Sequence, residues 1–446
     1  MEKDKNFLWH PFTQMKDWVE GDEQLIIERG EGIKLYDIDG NSYYDGVSSI
    51  WLNVHGHRKK ELNQAIIDQL KKVAHSTMLG LSNIPAIELA ARLAELTPSG
   101  LNKVFFSDNG STAVEVALKI AVQYWQQKSK KTSRKIKFIT LENAYHGDTI
   151  GSVSVGAIDL FHKIYSPLLF ETFIAPSPYC YRCPVGKEKS NCKMDCINKL
   201  EDIMKKNHQQ IAAMIIEPLV QGAGGMITSP FSYLARVREL CQKYEILLIA
   251  DEVAVGFGRT GTMFACEQEN VVPDIMTVAK GISGGYLPIA ATICQDEIYQ
   301  AFYDEYEKKK TFFHGHSYTG NPLAAAVSLA NIELFIEEKI LKNMKEKIIF
   351  LKKELKRFDE LKYVGDIRQK GLMVGIELVR DKNTKEVYKW SDKIGVKVCM
   401  CARKLGLIIR PLGNVIVFIP PLVSCKEEIK VMLNKIYEAI DCSTRL

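Results

Sequence analysis

The 446-residue chain carries a net charge of +5, with hydrophobic and charged shares of 46% and 25%, the balance of a globular protein of two or three domains. Its lysines are scattered and do not form one basic tract, which speaks against nucleic acid as a partner. No apolar run approaches the ~18 residues of a membrane span, and MEKDKNFLWH has no leader-like apolar core, so a cytoplasmic protein with no membrane partner is expected.

Residues 1–58 read as an arm followed by a small β unit. Trp9-His10-Pro11-Phe12-Thr13-Gln14 is too aromatic for a floppy tail. Two short runs, 33–37 and 41–45, joined through Asp39-Gly40, predict a β-hairpin. Beyond it, Trp51 and His55 suit either core packing or a functional role. From Lys59 to about Leu96 the apolar period is helical, and Pro98-Ser99-Gly100 ends it.

The next segments alternate short apolar runs with helical stretches. Val104-Phe105-Phe106 reads as a strand, and Gly110-Ser111-Thr112 enters an amphipathic helix over 113–125. Free N–H groups and the dipole of a helix N-terminus suit an anion, so Gly110, Ser111 and Thr112 are candidates to hold a phosphate; a plain helix cap is the alternative. The strand 137–141 leads to Tyr145, whose ring can present its face to a crevice or pack on its own loop. Another strand, 214–216, ends at Glu217 and is followed by Gln221-Gly222-Ala223-Gly224-Gly225.

Two further strand ends carry the chemistry. The run 246–250 stops at Asp251, and the run 275–279 stops at Lys280, ahead of Gly281 and Gly284-Gly285. Continuous apolar runs of this length suit strands buried on both faces, and ligands bind beyond the carboxyl ends of such strands. A lysine to hold the cofactor covalently and a carboxylate to keep its ring nitrogen protonated are what pyridoxal phosphate requires. Lys280 and Asp251 are the candidates, as tether and proton carrier and as ring partner; a solvated lysine and a strand-capping aspartate are the alternative.

The alternation predicts an α/β fold with a large, mostly parallel, doubly wound sheet over 59–325. From residue 326 onward, lysine-rich helices and the runs 371–377 and 415–418 read as a smaller α+β domain, 326–446. Arg410 could present its planar fork to a substrate carboxylate or form a surface ion pair. Cys180, Cys183, Cys192 and Cys196, spaced C-x2-C-x8-C-x3-C, form a possible structural zinc site, or a reduced loop without metal. The odd total of 11 cysteines argues against a disulfide framework.

Taken together these segments resemble the class III pyridoxal-phosphate transaminases. The resemblance covers nearly the whole chain. It rests on Trp9-His10-Pro11-Phe12-Thr13, Ser48-Ser49-Ile50-Trp51, Asp108-Asn109-Gly110-Ser111, Tyr145-His146-Gly147-Asp148-Thr149 and Glu217-Pro218. Asp251-Glu252-Val253, Gly256-Phe257-Gly258-Arg259-Thr260-Gly261, Lys280, His314-Gly315 and Gly320-Asn321-Pro322 continue it.

The resemblance implies the pyridoxal-phosphate transferase fold type I and a homodimer whose active sites are shared, with Ser317 reaching the phosphate of the partner's cofactor. It implies a pocket for 8-amino-7-oxononanoate lined by Trp51, Tyr145, Gly315 and Arg410, and a role in biotin synthesis. Another ω-amine, or aminomutase chemistry, is the alternative. Phe12, Ile50, His316-Ser317 and Val417 depart from the family pattern by two phenolic hydroxyls and one large ring. Those losses bear on a bulky sulfonium donor more than on the ring chemistry, so the amino donor is either S-adenosylmethionine or lysine.

Overall fold

The computed structural model describes residues 1–21, 24–129, 132–188 and 190–444. At its centre is a seven-stranded sheet in the order Leu101–Ser107, Ala290–Gln295, Ile275–Val278, Leu247–Asp251, Ile211–Ile216, Lys137–Leu141, Thr172–Ala175. Only Ala290–Gln295 runs against the rest. The carboxyl ends of the other six strands therefore lie along one edge, joined there by the start of the reversed strand.

Both faces of this sheet are covered. Along the central strands successive side chains alternate between two apolar clusters. Leu248, Met214 and Ile139 enter one, and Ile249, Ile215 and Phe138 enter the other. This is why the strands read as unbroken apolar runs rather than alternating ones. The helix Gly110–Lys128 packs on the second face through Val114, Ala117, Ala121 and Trp125.

The helical pattern over 59–96 resolves into two helices, Lys60–Leu70 and Ile84–Leu96. Gly80 sits between them at φ +75. The second helix starts where the Asn83 side chain accepts from Ala86 N and Pro85 occupies the first turn. The expected hairpin is present as Lys34–Asp37 and Ser42–Asp45. It belongs to a four-stranded sheet whose outer strands are Ile27–Glu31 and, from the far end of the chain, Leu407–Ile408. A second four-stranded sheet contains Val364–Lys370, Met373–Leu378, Val415–Phe418 and Arg410–Leu412. Long helices, among them Ile340–Leu355 and Lys426–Thr444, pack beside it. No helix among the described residues is long and apolar enough to cross a membrane.

Candidate active site

The polar strand ends meet at one cavity of about 790 Å³ on the carboxyl edge of the central sheet. Clefts of this size hold cofactors and small substrates. Its wall includes Trp51, Gly110, Ser111, Tyr145, Asp251 and Lys280. Asp251 and Lys280 come from adjacent parallel strands, with Asp251 in register with Thr277, three residues before the lysine. Buried strands on both sides hold the two groups without freedom to drift.

Asp251 is buried and its carboxylate is anchored through both oxygens. Oδ2 lies 2.6 Å from His146 Nδ1, while Oδ1 accepts from Val253 N at 3.1 Å and Thr277 Oγ1 at 3.2 Å. His146 Nε2 is buried and has no partner among the described residues. The histidine ring thus fixes the carboxylate from behind. Neither this pairing nor the part played by Glu217 is visible in the sequence, because residues 146, 217 and 251 are brought together only by the sheet order.

Glu217 accepts from Tyr145 N at 3.2 Å and from Gly222 N at 2.8 Å. Burial pushes its carboxyl up to about 7; the His146 ring opposes that rise and the Asp251 charge adds to it. The polar end of the strand at 217 was the one sequence signal for it.

Lys280 adopts a left-handed backbone at φ +48. Gly281 follows directly, where a Cβ would stand 2.7 Å from Phe257 Cβ. Burial lowers the pKa of the lysine amine, against the pull of the Asp251 and Glu217 carboxylates, and Arg259 adds to the lowering. A lysine so placed holds a larger share of the neutral, nucleophilic amine. Its Nζ stands 4.9 Å from the ring centroid of Trp51. Trp51 is buried, and its indole N–H has no acceptor.

Four successive residues, Ser48, Ser49, Ile50 and Trp51, have φ of +49, +47, +70 and +69 and form one left-handed turn. Asp45 holds it, accepting from Ser49 N at 2.8 Å and Ser49 Oγ at 2.7 Å. Ser48 Oγ donates to Ile419 O at 2.7 Å. The turn sets the Trp51 ring against Gly222, where a Cβ would lie 3.0 Å from the indole.

At the opposite wall, Ser111 Oγ accepts from Thr149 N at 2.9 Å and pairs with Thr149 Oγ1 at 2.8 Å. Gly147, at φ +121, brings its backbone so near that a Cβ would clash with Ser111 Oγ at 2.3 Å. Thr112 is turned to another task. Its hydroxyl donates to Asp108 Oδ1 at 2.9 Å, and with Asn109 it forms a capping box for the helix Gly110–Lys128. It is not on the cavity wall. Tyr145 donates its hydroxyl to Asp148 Oδ2 at 2.7 Å, and burial raises its pKa.

The remaining candidates lie elsewhere in the chain. Arg410 is half-buried and makes no ion pair among the described residues. Its guanidinium carbon is 5.9 Å from the Phe12 ring centroid. Gly315 and Ser317 are exposed, and Gly315 lines a separate depression with Met78, Phe105 and His316. Arg259 is buried and stays outside the cavity. It donates to Asn53 O at 2.6 Å, Pro420 O at 3.0 Å and Ser48 Oγ at 3.2 Å, and burial pulls its pKa down to about 9, against the Asp45 charge.

The expected cysteine cage is not assembled. Among the described residues no three His, Cys, Asp or Glu side chains converge as a metal-ligating group. Cys192 Sγ lies 3.7 Å from Asp195 Oδ2 and Cys180 Sγ 3.8 Å from Pro178 O. Cys196 is buried on the helix Asp195–Asn207, and burial pushes its thiol up to about 11.

A mostly parallel sheet with Lys280 and Asp251 at its carboxyl edge is the architecture of fold type I pyridoxal-phosphate enzymes. Residues 18–440 match the family model of the class III aminotransferases, and the chain belongs to that family. The adenosylmethionine-8-amino-7-oxononanoate aminotransferase of Geobacter sulfurreducens is 52% identical over 99% of this chain and 97% of its own. That of Anoxybacillus flavithermus is 54% identical over 99% and 96%. The crystal structure of the aminotransferase of the same name from Methanocaldococcus jannaschii superposes with a TM-score of 0.94, at 44% identity and 98% coverage of both chains. A 6-fold mutant of a thermostable ω-transaminase from Pseudomonas jessenii also superposes at 0.94, with 32% identity over 100% of this chain and 98% of its own.

Proposed function

We propose that this aminotransferase moves an amino group onto 8-amino-7-oxononanoate, giving 7,8-diaminononanoate for biotin synthesis in the cytoplasm, with S-adenosylmethionine or lysine as donor. The observation that carries the chemistry is the delivery of Lys280 and Asp251 into one cavity by neighbouring strands. The substrate assignment draws support from relatives above 50% identity over nearly their whole length.

The cavity fits pyridoxal phosphate on its own residues: a half-buried lysine of lowered pKa, a carboxylate anchored through both oxygens, and a helix start with room made by Gly147. When bound, the cofactor supplies a protonated ring that takes up the electrons released at the amine-bearing carbon. Lys280 would hold it and afterwards carry a proton at that carbon through Nζ. Asp251, steadied by His146, would keep the ring nitrogen protonated. Gly110 and Ser111 would receive the phosphate at the helix N-terminus. Trp51 and Tyr145 would cover the reacting groups and exclude water. Arg410 would take the substrate carboxylate.

Gly315 and Ser317 lie outside the cavity of their own chain, and Leu79, Phe313 and Tyr318 beside them are 80%, 79% and 64% exposed. An apolar surface of this kind suits a second copy of the chain, with Ser317 serving the partner's phosphate and Gly315 the partner's substrate.

The test adds S-adenosylmethionine, lysine and glutamate singly to the cofactor-loaded protein and follows its visible spectrum. One donor should change the spectrum, and 8-amino-7-oxononanoate should restore it. Restoration only by a different carbonyl compound would remove the biotin assignment and leave the aminotransferase.

A further inference from the structure

A second and larger cavity, of about 1520 Å³, shares no wall residue with the Lys280 site. It lies between the segment 179–188, the turn 260–262 and the C-terminal elements Ile340–Leu355 and Val364–Lys370. Its basic side chains outnumber its acidic ones. Asp366 is taken up by Arg368 at 2.7 Å, which leaves Glu188 and Asp359 as the other carboxylates on the wall.

Lys385 donates to Tyr181 O at 2.8 Å, but several other donors on the wall have no acceptor among the described residues. Lys187, Lys352, Lys356 and Lys370 line the cavity and make no ion pair or hydrogen bond among the described residues. Burial lowers the pKa of Lys370, with Glu269 as its only opposing charge. Arg182 spends Nε on Glu377 at 2.6 Å, yet its Nη2 is buried without a partner among the described residues. Thr260 is 3% exposed, lines the same space, and its hydroxyl has no partner among those residues either.

A buried N–H or O–H left without an acceptor costs ~1–3 kcal/mol. Several such donors around one concave space, with lysines spread along its wall, favour an acceptor-rich and multiply charged guest. A cleft whose wall carries an excess of positive charge also attracts such a guest. A single carboxylate would meet few of these groups. Phosphate oxygens accept from guanidinium, ammonium and hydroxyl donors together.

We propose that this cleft is a second ligand site, for a small molecule bearing two or more phosphate groups. The turn at Thr260 follows Arg259, whose side chain grips Ser48 and Asn53 on either side of Trp51. A guest in the cleft thereby touches the peptide next to the clamp that holds the active-site turn.

The test titrates inorganic pyrophosphate into the cofactor-saturated enzyme by calorimetry, in 0.15 M potassium chloride to suppress loose surface pairing. Saturable binding with a Kd below about 1 mM is expected. K352Q/K370Q should weaken it by about tenfold or more while leaving turnover and melting temperature unchanged. If that pair fails to fold, the exposed pair K352Q/K356Q carries the same expectation. Absence of saturable heat in the parent enzyme would overturn the site. Unchanged binding in the folded variant would overturn its location. Binding of citrate as tight as that of pyrophosphate would overturn the phosphate assignment.

Discussion

Lys280 and Glu217 face the same cavity with opposite demands on the proton. Lys280→Ala removes the amine that would hold the cofactor. After borohydride reduction the parent chain should gain the mass of the cofactor and the variant should not. Turnover should fall by about three orders of magnitude or more, as for loss of a nucleophile with its proton-transfer role. Glu217 has its folded pKa raised to about 7 from an ordinary 4.5. Its protonated form therefore stabilises the fold fully below 4.5, and that contribution is lost as pH rises through 7. Glu252, buried and also pushed up to about 7, loses stability over the same window. In the cofactor-free protein, Glu217→Gln should remove about half of the drop in stability between pH 5 and 8, on the order of 3 kcal/mol. A drop of unchanged size in melts of the variant would show that the Glu217 carboxyl is not the group that titrates.

The turn over residues 48–51 is the element that sets Trp51 over Lys280. Left-handed backbone costs an L-residue roughly 1–2 kcal/mol, so four in succession persist only where the surroundings hold them. Ile50 is β-branched and exposed, and its side chain contributes little to the core. Ile50→Gly should leave stability within about 1 kcal/mol of the parent or raise it, because relief of φ strain offsets the freedom gained by the unfolded chain. Denaturant melts read this directly; a loss above ~2 kcal/mol would mean the turn is unstrained. Asp45→Ala should act in the other direction. It frees Ser49 N and Oγ and leaves His57 without its carboxylate at 3.1 Å, for a loss of about 3 kcal/mol together with a change in the environment of Trp51 fluorescence.

At the scale of the molecule, Arg259 joins three distant stretches: Ser48 and Asn53 near the amino terminus, the glycine-rich turn of the large sheet, and Pro420 near the carboxyl terminus. Loss of a buried cation that serves several acceptors costs roughly 3–5 kcal/mol. Arg259→Met should lower the stability by that amount and loosen Trp51, although no atom of Arg259 lines the cavity. Specific activity of the parent enzyme should fall on dilution below the dissociation constant of the proposed dimer. Ser317→Ala should then raise the apparent Kd for the cofactor severalfold, by loss of a phosphate contact of ~1 kcal/mol. Activity independent of concentration in an enzyme shown to be monomeric by sedimentation would remove the shared site.

Much of this was legible from local pattern. A strand buried on both faces must be apolar throughout, so its polar ends stand out; that is how Lys280, Asp251 and the polar end at Glu217 were found, and why the alternation of strands and helices predicted the mostly parallel sheet. Glycine after these ends marked where backbone approaches closely. What the sequence could not hold was the pairing of residues far apart along it. His146 behind Asp251, Glu217 tying Tyr145 to Gly222, Arg259 across three segments and the return of Leu407–Ile408 to the amino-terminal sheet each depend on sheet order and loop path. The same limit applies to Thr112, which the local pattern alone offered first as a cap and only beside Lys280 as a phosphate ligand, and to the four cysteines, whose spacing does not specify where their side chains point. Local propensity is written residue by residue; convergence of side chains is a property of the packed chain.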